Sequence, residues 1–167
     1  MIAEAGRTGA NSSRPNTEGG VLHEVTGLLE NAIKRRVLGF FAGANPTLID
    51  GTMQQVGVHQ VTISRLPLLH GAVRIEYKAL SNGIPLANYM VMVDPSGNQI
   101  GDVYSLYGKI NEQDAELRVV KTNDEHEPPS IVAELPSSSA GSQRKIDASA
   151  LTDADKTLIS QMFSIQF

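Results

Sequence analysis

The stretch AVRIEYKALSNGIPLANYMVMV, residues 72–93, sets the fold class. Its first half alternates. Val73, Ile75, Tyr77 and Ala79 fall on one side, and Arg74, Glu76 and Lys78 on the other. A period of two marks a strand with one dry face and one wet face. Asn82-Gly83 then fits the two positive-φ positions of a type I′ hairpin turn. From Leu86 to Val93 the chain is apolar on nearly both parities, so this second strand is expected centrally in a sheet, with one face under another layer.

Downstream, Asp94-Pro95-Ser96-Gly97-Asn98 reads as a second hairpin turn, with proline set for the turn and glycine able to take positive φ. Strands are expected near 99–110 and 116–122, with Gly101 and Gly108 as kinks in the first. The two prolines at 128 and 129 make 123–129 a loop, and 130–135 reads as a last edge strand. Upstream, 56–66 is rich in β-branched residues. Its apolar parity switches near His59-Gln60, which predicts a bulge or a late strand start.

Residues 20–41 read as a helix. Leu22, Val25, Leu29, Ile33, Val37 and Phe40 recur at three- and four-residue spacing. Gly27 weakens it by roughly 1 kcal/mol relative to alanine, as a close packing contact or a tolerated defect. A final helix is expected from Thr152, where Thr152-Asp153-Ala154-Asp155 has the form of a capping box. The predicted fold is α+β: an N-terminal helix packed on a curved antiparallel sheet of four to six strands, plus a C-terminal helix. The predicted organisation is a disordered tail over 1–19, an α+β domain over 20–135, a flexible Ser/Gly-rich linker over 136–150 and an amphipathic helix over 151–167.

This element order resembles that of cystatin-like and NTF2-like folds. Gln54-Gln55-Val56-Gly57-Val58 is similar to the cystatin loop Q-x-V-x-G, without its final glycine. That resemblance implies a protease inhibitor, and fold alone does not give function.

Composition narrows the classes. Hydrophobic residues make up 41% of the chain and charged residues 19%, which suits a globular domain. With no cysteine, thiol catalysis, disulfides and Cys-ligated metals are excluded. The net charge of −4 and a single dense basic cluster, Lys34-Arg35-Arg36, argue against nucleic acid as the main partner. That cluster reads as the polar face of the helix. No stretch approaches the ~18 apolar residues of a membrane span, and the first residues lack the apolar core of a Sec signal. The expected location is the cytosol, or export by a route without such a signal.

No catalytic residues, metal ligands or cofactor are assigned. His23, His59, His70 and His126 include no i, i+4 pair. The acidic stretch Glu112, Asp114, Glu116, Asp124, Glu125 and Glu127 reads as a solvated face, with a basic partner as its alternative. Tyr77 and Tyr89, with Asp102 as a carboxylate, form a candidate pocket lining between helix and sheet. A packed core is the competing expectation for them.

The C-terminal segment carries Leu158, Ile159, Met162, Phe163, Ile165 and Phe167. An isolated helix this short is marginal in water and needs a surface to lie against. Either it covers its own sheet, or it docks on another protein through these anchors, each contributing about 1.5–3 kcal/mol when buried. The leading expectation is a non-enzymatic interaction module, an adaptor or accessory subunit, whose partner is another protein or a second copy. The alternatives are a small-molecule-binding or hydrolytic protein with a pocket between helix and sheet, and the inhibitor.

Overall fold

The computed structural model describes residues 17–122, 124, 126–137 and 143–166. Residues 1–16 of the tail expected over 1–19, residues 138–142 of the expected linker, and Phe167 lie outside the described residues, while residues 17–19 belong to the first helix. Helix α1 (Thr17–Phe40) comes first. Eight strands follow: β1 (Gln54–Val56), β2 (His59–Pro67), β3 (Val73–Ser81), β4 (Ile84–Val93), β5 (Gln99–Ile110), β6 (Gln113–Thr122), β7 (Ser130–Pro136) and β8 (Gln143–Asp147). Helix α2 (Asp153–Phe163) closes the sequence of elements. The strands form one sheet in chain order, every neighbour antiparallel.

Among the described residues, eight strands stand in place of the expected four to six. The two additional ones are the sheet's edges, where the apolar pattern is weakest. β1 has three residues, too few for alternation to show. β8 reads QRKID and lies inside the stretch expected to be linker. An edge strand packs on one neighbour only, and charged side chains on it deter further pairing. The parity switch at His59 is explained by β1: Val56 pairs with His59 across a tight turn, with Gly57 at φ 61°.

The hairpin in the opening stretch forms as its residues dictate. Asn82 and Gly83 both take positive φ, 51° and 79°, between the paired Ser81 and Ile84. Val61, Ala79, Ala87, Leu106, Leu117 and Ala133 then stand in cross-strand register and are all buried. Ala79 and Ala87 leave room above β3 and β4. Leu29, Ile33 and Val37 of α1, one residue per turn, complete this core. α1 rests on β4, β5 and β6, and α2 on β5. Among the described residues, nothing lies near the place a side chain on Gly27 would occupy.

The capping box at α2 is present in both directions. Thr152 Oγ1 accepts from the Asp155 amide at 3.1 Å, and Asp155 Oδ2 accepts from the Thr152 amide at 3.1 Å. The helix ends at Ser164 in the left-handed region, which turns Ile165 back into the core. Among the described residues, no helix is long and apolar enough to cross a membrane.

Candidate functional site

The five described C-terminal anchors do not stand together on a free surface. Ile159, Phe163 and Ile165 are 0%, 3% and 3% exposed and belong to the domain's own core. Leu158 and Met162 are half-buried against it, and Phe167 lies outside the described residues. Phe163 explains Gly108. A Cβ on Gly108 would stand 3.0 Å from the Phe163 ring, tighter than side chains normally pack. The glycine is a seat for the ring.

Tyr77, Tyr89 and Asp102 are brought together, with Tyr104 as a fourth member. Tyr77, Tyr89 and Tyr104 are cross-strand neighbours on the helix-covered face. Their rings lie 5.5 Å and 4.7 Å apart, and Phe41 of the segment after α1 adds a further ring 5.5 Å from Tyr77. The Lys34 ammonium lies 5.4 Å from the Tyr104 ring centroid and pairs with Glu30 at 2.6 Å. Tyr104 donates to Asp102 Oδ2 at 3.3 Å. Burial, then the neighbouring Tyr89 and Asp102, push the Tyr104 phenol well above its ordinary range. Asp102 is 9% exposed, and its Oδ1 is buried without a hydrogen-bond partner among the described residues. A buried carboxylate oxygen left unpaired is costly and calls for an explanation.

A cleft that the sequence reading missed lies where β4 and β5 part. Their ladder ends at Ala87 and Leu106, so 84–86 and 107–110 have no ladder partner in each other. Two residues account for the split. Pro85 offers no amide to a ladder, and the β3–β4 register shifts beside its partner Leu80. Gly108, opposite, is held by the Phe163 ring. The resulting cleft has a volume of about 450 Å³, within the span of small binding sites. Ile84, Pro85 and Leu86 form one wall. Tyr107, Glu116 and Glu134 share the sheet face turned away from the helices and form the other.

The cleft's electrostatics are acidic. Among the described residues, its lining holds one cation, Lys109, and three carboxylates, Asp114, Glu116 and Glu134. Lys109 lies 3.6 Å from Asp114. Arg118 lies 3.7 Å from both Glu116 and Glu134, one guanidinium shared between two carboxylates. Burial pushes the Tyr107 phenol up, and the negative charge of Glu116 adds to the rise. Ile84 stands at the mouth, 59% exposed.

A second groove, about 630 Å³ and more open, runs between α1 and the residues after α2. Arg35, Arg36 and His59 line it. Two of these serve packing: Arg36 lies 5.2 Å from the Phe40 ring centroid, and His59 Nε2 donates to the Phe40 carbonyl oxygen at 2.7 Å.

No protein-family model, curated protein or solved structure matches the chain.

Proposed function

We propose that the protein is a non-enzymatic interaction module whose partner seats in the cleft between β4 and β5. One observation carries this reading: two strands of a continuous sheet stop pairing and leave an apolar-walled, acid-rimmed recess between them. Docking through α2 is less favoured, since Ile159 and Phe163 would first have to leave the core.

Ile84→Asp tests the cleft. Ile84 is exposed, so the substitution should leave the melting temperature within about a degree. A partner retained from native extract by the wild-type chain should be lost. Equal retention by the variant, or no retained partner with either chain, counts against the cleft.

A second reading rests on Asp102 Oδ1: a small-molecule site at the tyrosine row under α1. A protonated amine entering beside Tyr104 would give that oxygen its missing donor. The chain has no tryptophan, so its ultraviolet emission comes from four tyrosines. Benzylamine should quench that emission saturably, and Asp102→Asn should weaken the effect about tenfold, the consequence of losing one charge-assisted contact. An unsaturable or unchanged response removes this reading.

A further inference from the structure

We infer that the cleft's occupant is an extended, basic segment of a partner protein, held by a lysine or arginine side chain. The inference rests on the cleft being the docking site. Three features point to that chemistry. First, the edges of β4 and β5 at 84–86 and 107–110 lack ladder partners on the sides that face the cleft. An extended peptide can pair with such main-chain groups. Second, one wall is aliphatic, through Ile84, Pro85 and Leu86. A lysine or arginine lays its methylene stem on such a surface while its head stays polar. Third, Glu116 and Glu134 share the single Arg118, which leaves one negative charge uncompensated at the head's position. Lys145, opposite Glu134 in the ladder, is on the exposed edge strand and makes no close ion pair with it. An acidic or neutral occupant would leave this charge unanswered and would bury it, which is unfavourable.

The acidic stretch around Glu112, Asp114 and Glu116 thus acquires a role. Asp114 and Glu116 line the rim of a recess, while Glu112 stays outside it on the solvated surface. The chain's net charge of −4 has the sign that draws a cation toward it.

The test is a titration of the full-length, isotope-labelled chain with acetyl-Lys-Val-Lys-Val-Lys-amide and, separately, acetyl-Glu-Val-Glu-Val-Glu-amide, followed by amide shifts. The lysine peptide should shift residues 84–86, 107–109 and 114–116 saturably. Its affinity should fall at least tenfold with Glu116→Gln and Glu134→Gln together, and should fall with added salt because rim charges are screened. Binding of the glutamate peptide to the same residues with equal affinity overturns the basic occupant while leaving the cleft intact as a docking site. So does an affinity for the lysine peptide that neither salt nor the double substitution changes. If neither peptide moves any cleft residue, in the full-length chain or after deletion of 1–16, the cleft reading falls as well. Binding that emerges only after deletion of 1–16, which carry Arg7 and Arg14, assigns the cleft to this chain's own N-terminus and overturns a separate partner. Concentration-dependent dimerisation that shifts the cleft without peptide assigns it to a second copy and does the same.

Discussion

Phe163→Ala is expected to destabilise the domain by about 3–5 kcal/mol, the usual loss for a buried phenylalanine cut to alanine. For a chain of this size, that corresponds to a melting temperature lower by roughly 10–15 °C. Three facts set the scale. The ring is 3% exposed, it sits against Gly108, and it joins α2 to β5, the strand that also lies under α1. Alanine leaves a void that Gly108, with no side chain of its own, cannot fill. Circular dichroism against temperature measures the effect. A melting temperature unchanged by the substitution would mean that α2 is not seated on the sheet in solution, and docking through its anchors would again become the better reading. Gly108→Ala provides the reciprocal test. The added methyl should destabilise the wild-type chain by about 1–3 kcal/mol through overpacking, and less in a Phe163→Leu background, where the ring that it meets is gone. The two changes should therefore be non-additive. Because Gly108 also lines the cleft, Phe163→Ala should broaden the amide signals of 107–109 before it unfolds the chain.

How much of this arrangement was legible in the sequence depends on whether the controlling interactions were local. The hairpin at Asn82-Gly83 was readable because two adjacent residues fix two adjacent dihedrals. The capping box was readable because Thr152 and Asp155 are one turn apart. The stripe Leu29, Ile33, Val37 gave α1 its buried face because a helix repeats its own geometry. The tyrosines of β3 and β4 could be grouped with Asp102 since period-two alternation assigns each strand's faces. The register that sets Tyr77 beside Tyr89 and Tyr104, however, comes only from pairing. Apart from β1, too short for a pattern to show, the missed features are non-local. β8 has a linker's composition and is a strand because β7 supplies its partner. Gly108 read as a kink, and its actual role is set by a ring 55 positions away in sequence. The cleft has no signal of its own in the chain. It arises from a proline on one strand, a glycine on the next and the helix that holds the glycine in place. The acidic residues around it were visible, but not that they line a recess.

Arg144→Ala is the second substitution with a large expected effect. Asp155 is 2% exposed and completes the capping box, while Arg144 reaches it from β8 at 2.5 Å. Burial by itself raises the Asp155 pKa. The hydrogen bond from Arg144, those from the Thr152 amide and side chain, and the Arg144 charge outweigh that effect and hold it below its ordinary 3.8. Removing the arginine leaves a buried carboxylate with only the helix cap to hold it. Breaking a buried pair costs about 3–5 kcal/mol. Arg144 is itself 42% exposed, and water answers part of its charge, so about 2 kcal/mol is the better expectation here. The pH dependence identifies the cause. A carboxylate whose folded pKa is depressed adds stability above its unfolded pKa, and loses it as pH falls through the folded value. In the wild-type chain that loss belongs below 3.8. In Arg144→Ala, burial is no longer outweighed to the same degree, so the loss begins at higher pH. Subtracting the two stability curves removes the other carboxylates common to both. A difference that is constant from pH 3 to 7 would mean that Arg144 stabilises β8 by packing alone. A difference that is largest near neutral pH and shrinks as Asp155 protonates would assign the effect to the ion pair. In that case β8, which is expected as linker and pairs with β7, is tied to α2 by one charge contact.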